Sequence, residues 1–533
     1  VMHPFDAAPQ RDLAPYPSLI HLIEDTCARF GSKTAYVCLG HDISFNEIEQ
    51  YSRQFAAYLQ QYTELKVGDR VAIQLPNITQ FVIAAYGAIR AGFVLVNTNP
   101  MYTDREMLHQ FNDSGAKLLV TLSDNIPKLN HIVNNTSISV VIATHPLDLI
   151  TPQPQAKSEF NHFRFMDVLK AGGKHLLQTV TVSNHHLAAL QYTGGTTGLS
   201  KGAMLSHGNL IANAAQLAAR LSSHINEGEE IFVAPLPIYH IYAFMVNLIL
   251  YFERGACSVF IPNPKDIPSF IQTLTKYRFT GFAGLNTLFV GLCQQDMFRA
   301  LDFSALKVTI SGGTALTQFA ADLWYQTTGC TISEGYGLSE TSPVVSLNTP
   351  GREKIGTIGK PLLGTHICII DDNESEVASG QAGELAVSGP QVMSGYWQQE
   401  CETKKVMTKN GFFKTGDIAI ALTDGFHQIV DRKKDIVIVS GFNVYPNEIE
   451  NVLSLHGAVL ESAVIGVSGK HSDETVKAFI VLTPSAQQNH SILQEIKQHC
   501  TENLTPYKIP KLFEFVDALP KSSVGKILRR ALR

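Results

Sequence analysis

Between Tyr192 and Leu205 the chain reads YTGGTTGLSKGAML, a run of residue types suited to holding phosphate. Gly194, Gly195 and Gly198 let the backbone approach an anion closely, and successive N–H groups there can nest around oxygen atoms. Thr193, Thr196 and Thr197 add hydroxyl donors, and Lys201 adds a point charge. The spacing is not the G-x-x-x-x-G-K-[ST] of a standard phosphate loop. Taken alone, the stretch reads equally as a flexible Gly/Thr linker. A second segment, SEGYGLSETSP from Ser333 to Pro343, sets Tyr336 between two glycines, where its ring face could stack on a purine. Beside it, Gly337 and Ser339 precede Glu340, whose carboxylate is the hard oxygen ligand that Mg²⁺ prefers. In a third, beginning FFKTGDIA, Asp417 could accept hydrogen bonds from sugar hydroxyls and Arg432 could donate to the same sugar. Its DRKKD run reads equally as a solvated turn. In the fourth, LPKSSVGKILRR, Gly525 and Lys526 place an ammonium on what is otherwise a frayed basic end.

These residues need a scaffold, and the pattern around them supplies one. At 533 residues the chain should divide into two or more domains. Ser44 and Glu47, then Thr103 and Glu106, form capping-box patterns ahead of amphipathic helices. With strand-like runs at Val71–Leu75, Phe93–Val96 and Leu118–Leu122, the order is strand, helix, strand. That argues an α/β fold with helix-flanked sheets. The phosphate-like loop follows a strand at 187–192, and the helix after it carries Leu210, Ala214, Leu217, Ala218 and Leu221 at helical spacing. Glycines between short strands over about 355–431 suggest a small β-barrel-like subdomain. After DRKKD a helix, two strands, a helix and a strand make a compact α+β unit of about 100 residues.

Net charge is −5, without the basic footprint of a nucleic-acid partner. The 8 cysteines are scattered and contain no C-x-x-C pair, as expected of a reduced cytoplasmic protein. No signal peptide is expected. The longest apolar run, Ile241–Phe252, falls short of the roughly 20 residues of a membrane span. Contact with a membrane is therefore expected to be peripheral at most, on its cytoplasmic face. Whether the protein is a monomer or a homodimer is left open.

The four stretches, in this order, resemble the adenylate-forming superfamily of acyl-CoA synthetases, luciferases and peptide-synthetase adenylation domains. The finer spelling (NGFFKTGDIA, IVDRKKDIVIVSGFNVYPNEIE, PLPIYHIYAF, GPQVMSGYW) is similar to bacterial long-chain fatty-acid–CoA ligases. The resemblance implies a large N-terminal domain over 1–433 and a mobile C-terminal lid over 434–533. It implies ATP, Mg²⁺ and coenzyme A, with a fatty acid as the acyl substrate. Tyr336 would pack on adenine, and Gly312 and Gly313 would line the base and carboxyl region. Asp417 and Arg432 would fix the ribose, Glu340 would ligate Mg²⁺, and Ser339 would sit near the phosphates. The Thr193–Lys201 loop would hold pyrophosphate, with Gly337 and Gly441 completing the binding set. Lys526 would bridge carboxylate and α-phosphate, His240 would stand at the mouth of the acyl pocket, and Lys434 would be the hinge. Phe244 would gate the acyl tunnel, though on an apolar stripe it reads equally as core. Ser200 stands where many members of the superfamily carry proline. Rival readings are an acyl-AMP ligase serving a carrier protein, a coumarate-like acid–CoA ligase, a luciferase-like oxygenase and a non-catalytic nucleotide-binding regulator.

Overall fold

The computed structural model describes residues 13–151, 153–154, 157–193, 200–439, 442–468, 474–483, 486, 488–522 and 525–533. Two large sheets dominate it. The first has 7 strands in the order Phe163–Arg164, Val140–Thr144, Ala116–Leu122, Arg70–Gln74, Val94–Asn97, Leu187–Thr193 and Lys201–Ser206. It is parallel except for its last pair. Both capping boxes form, on helices Phe45–Tyr62 and Asp104–Ser114. The expected helix forms over His207–Arg220, but a strand that was not expected, Lys201–Ser206, antiparallel to Leu187–Thr193, comes before it. Ser206 caps the helix through Asn209.

The second sheet has 9 strands, with a parallel centre running Ile332–Gly337, Val308–Ser311, Gly281–Gly284, Ile231–Ala234, Cys257–Phe260 and Thr34–Cys38. Helix Thr79–Arg90 is buried at every residue, as its apolar surface on all sides requires. Its one guanidinium, Arg90, is fully buried and pairs with Glu24 and Glu49. The glycine-punctuated region forms a 4-stranded antiparallel sheet: His366–Ile370, Ala382–Ser388, Phe413–Ala421 and His427–Arg432. Beyond it lie a short hairpin, Val437–Val439 with Phe442–Val444, and a 3-stranded sheet under helices Pro446–Ser454 and His490–Asn503. A separate apolar cluster, including Val444, Ile449, Val464, Ile480 and Ile496, holds this last unit together. No helix among the described residues is long and apolar enough to cross a membrane.

Candidate active site

Four neighbouring strands of the parallel sheet end on one side. Ile231–Ala234 leads to His240, Gly281–Gly284 to Leu285, Val308–Ser311 to Gly312 and Gly313, and Ile332–Gly337 into Ser339 and Glu340. Loops diverge from the carboxyl ends of parallel strands, and a crevice opens there. All of these residues line one cleft of 2470 Å³, together with Thr193, Lys201, Asp417, Arg432, Lys434 and Lys526. Residues far apart in sequence thus meet where the pattern of strands and helices directs them. Gly194, Gly195, Thr196, Thr197, Gly198 and Gly441 lie outside the described residues.

On one wall, Asp417 and Arg432 are direct cross-strand partners, and Arg432 Nε lies 3.0 Å from Asp417 Oδ1. The other carboxylate oxygen accepts a 2.5 Å hydrogen bond from the Tyr336 hydroxyl. Burial, then the Asp417 charge, pushes the Tyr336 phenol well above its ordinary range, so it stays a neutral donor. This bond fixes the ring that was expected to face the base. The next residue must be glycine: a Cβ on Gly337 would lie 1.9 Å from the Pro343 carbonyl oxygen.

Opposite, Glu340 is buried, and its Oε1 accepts a 2.7 Å hydrogen bond from the Tyr396 hydroxyl. Burial raises the carboxyl's pKa although Tyr396 opposes the shift. A divalent cation would offset that cost, and a single buried carboxylate plus phosphate oxygens is a normal way to hold Mg²⁺. The residues therefore fit a Mg²⁺ ion that is shared with the nucleotide. No group of three or more metal-ligating side chains occurs among the described residues. Lys201 lies 5.2 Å from the centre of the Tyr396 ring, and its ammonium is ion-paired with Glu402.

Lys526 enters from the last unit on a tight turn. Gly525 has φ +76°, Lys526 N–H donates to Ser522 Oγ at 3.1 Å, and Ser522 N–H donates to Lys526 O at 2.8 Å. Burial, then the neighbouring Arg432 charge, holds the Lys526 ammonium down to about 8. His240 is held down to about 4, by burial first and Lys526 second, so its imidazole is neutral. Three residues on, Arg529 makes a bidentate pair with Glu450, at 2.8 and 2.9 Å, and donates to Asn447 at 2.6 Å. It also approaches Asp431 at 3.9 Å and Asp435 at 3.6 Å. Asp431 accepts from Asn447 N–H at 2.7 Å, at the start of helix Pro446–Ser454.

Apolar side chains lining the cleft include Leu217, Tyr242, Val246, Leu250, Val344 and Leu347. Phe244, which the resemblance made a gate, is not among the lining residues and packs in the main core. Residues 244–250 form a π-helical segment, whose wider turn changes which side chains share a face. Tyr242 and Val246 face the cleft instead. Sequence reading also missed Glu334, Tyr396, Glu402 and Arg529. Tyr396 stood in a quoted motif without an assigned role, while Glu402 carries no local signal at all.

The site and fold define an adenylate-forming enzyme. Residues 23–397 match the family described as AMP-binding enzyme, residues 448–526 match the AMP-binding enzyme C-terminal domain, and the chain belongs to this family. It is 42% identical over 547 residues to a long-chain-fatty-acid–CoA ligase of Escherichia coli O157:H7, covering 100% of this chain and 97% of that protein. It is 36% identical to a long-chain-fatty-acid–CoA ligase of Bacillus subtilis strain 168, covering 97% and 94%. Among solved structures, ATP-bound MatB from Rhodopseudomonas palustris is similar with a TM-score of 0.85 at 28% identity, covering 96% of this chain and 98% of that one.

Proposed function

We propose that this chain is an ATP-dependent ligase that joins a medium- or long-chain fatty acid to coenzyme A. In the first step a carboxylate oxygen bonds to the α-phosphorus, the bond to the β-phosphate oxygen breaks, and pyrophosphate leaves. In the second, the coenzyme A thiol gives its proton to solvent, its sulfur bonds to the acyl carbon, and AMP leaves with the electron pair of the C–O bond. Lys526 stabilises charge as the first bond forms. Asp417 and Arg432 hold the ribose, Tyr336 the base, and Lys201 the departing phosphates. Glu340 would hold Mg²⁺, which would neutralise phosphate charge. His240, kept neutral, presents no competing cation to the carboxylate near Lys526. We further assign 1–433 to the adenylate-forming unit, with 355–431 as its β-subdomain, and 434–533 to a lid turning at Lys434.

The observation that carries this reading is the meeting of Lys526 with Asp417, Arg432 and His240 in a cleft whose lining also includes apolar side chains. Pyrophosphate release measured over saturated acids from acetate upward tests it. Burying each methylene contributes about 0.8 kcal/mol, so kcat/KM should climb several-fold per carbon until the apolar space is filled. Coenzyme A should be consumed one-for-one with AMP release. A flat profile, a preference for acetate or an aromatic acid, or AMP release without thiol consumption would reject the assignment. Flotation of the protein with liposomes reads out the proposed peripheral contact.

A further inference from the structure

Glu402 stands on helix Glu400–Val406 and reaches the same cleft as the phosphate-binding lysine. Its Oε2 pairs with Lys201 and its Oε1 accepts from Lys405 at 2.5 Å. The two ammonium groups hold the carboxylate down to about 2, Lys201 having the larger effect, so it is ionised at any working pH. Lys201 is thus engaged from two sides, by Glu402 and by the Tyr396 ring whose hydroxyl is bonded to Glu340. A negative charge beside a lysine that must grip an anion works against that grip. Nothing in the fold requires it: Glu402 lies on a helix without a single buried residue.

We propose that Glu402 is a positioning residue that controls pyrophosphate release by competing with phosphate for Lys201. It occupies the ammonium before ATP binds and recovers it as the leaving group departs. Lys405 makes the exchange feasible, because Glu402 keeps one cationic partner while Lys201 is on the phosphates. The inference rests on the reading of the cleft as an ATP site and goes beyond it in naming what sets the release step. Pyrophosphate carries several negative charges and leaves after a single bond has broken. A carboxylate at this position therefore weakens the binding of both nucleotide and leaving group, and hastens release.

The test compares Glu402→Gln, Glu402→Asp, Lys201→Ala and the double variant Lys201→Ala with Glu402→Gln, each checked for an unchanged unfolding midpoint. The readouts are KM for ATP and the inhibition constant for inorganic pyrophosphate in acyl-AMP formation. One unit charge a few ångströms away in a solvated cleft should shift both constants roughly three- to tenfold. Glu402→Gln should lower both, and Glu402→Asp, which keeps the charge, should stay near the parent. In the Lys201→Ala background Glu402→Gln should have no further effect. An unchanged or raised KM in Glu402→Gln overturns the proposal, as does an effect that persists without Lys201. If Lys201→Ala moves neither constant, the ATP-site reading of Lys201 fails and the inference falls with it. If Lys201→Ala moves both and Glu402→Gln moves neither, only the inference fails.

Discussion

Inserting Lys526 into the cleft of the empty enzyme should be opposed by its own charge. The ammonium is held down from 10.5 to about 8, by burial first and then by Arg432, with Lys434 and Arg529 adding to the effect and Asp417 opposing it. At about 1.4 kcal/mol per pH unit, the protonated lysine costs about 3 kcal/mol here. Its remaining solvent contact reduces the figure to about 2. The inserted arrangement binds fewer protons than the released one between pH 8 and 10.5. Insertion is therefore favoured as pH rises through that window, and the penalty is fully present below about 8. ATP and the carboxylate substrate bring negative charge to the same place and remove the penalty. Closure should then be driven by substrates and nearly absent without them at neutral pH.

Replacing Lys526 with Gln removes the penalty and its pH dependence together. Energy transfer between dyes on Cys replacing Lys174 and Glu502, both exposed, in a Cys401→Ser background, reports the approach of the last unit to the rest. The empty parent enzyme should show little transfer at pH 7 and more by pH 10. The Gln variant should show more at pH 7, by a population ratio of roughly tenfold or greater, and no rise. ATP should close the parent at pH 7. If parent and variant have the same closed fraction at pH 7 and respond to pH in parallel, the reasoning fails.

Two more predictions follow from buried or pinned groups. Glu334 is 6% exposed, and burial raises its carboxyl from 4.5 to about 8 against one hydrogen bond, from Leu316 N–H. The unfolded chain ionises from about 4.5 upward, so the folded state loses stability between there and pH 8. Glu334→Gln should therefore raise stability by about 4 kcal/mol near pH 8 and by almost nothing near pH 4, which urea midpoints at the two pH values would read. An equal change at both would rule this out. Lys434→Pro should leave acyl-AMP formation intact and slow thioester formation from supplied acyl-AMP at least a hundredfold. Lys433 on one side is tied to Asp372 at 2.8 Å and Glu384 at 3.1 Å, and Asp435 on the other faces Arg529 and Arg533. Lys434 N–H makes no hydrogen bond among the described residues, so proline restricts φ there without removing one. A second half-reaction at the parent rate would show that the swivel lies elsewhere.

What could be read in the sequence was what is decided locally. Ser44 with Glu47 and Thr103 with Glu106 are complete signals within four residues, and both form as read. Motif residues at strand ends were also legible, because a parallel sheet delivers each such end to the same side. The strand at 201–206 was not, since its partner is settled by pairing with 187–193 across the loop and its own helix cap lies just beyond. The gate role for Phe244 came from the family resemblance alone, and the apolar stripe around it read equally as core, where its side chain packs.

The pairings with no local signal are those that join residues far apart along the chain. Tyr336 is 81 positions from Asp417, Lys201 is 201 from Glu402, and Arg529 is 79 from Glu450. Each of these pairs does the same physical work: it ties up a charge or donor that substrate could otherwise meet bare. A cleft built to receive a triphosphate and a carboxylate needs cations, and bare cations facing one another would repel and loosen it. Arg432 is instead paired with Asp417, and Lys201 with Glu402. Lys526 makes no such ion pair among the described residues, and it sits on the unit proposed above as the lid. On the proposed turning of that unit, the paired cations stay in place while Lys526 enters for the first chemical step and leaves for the second.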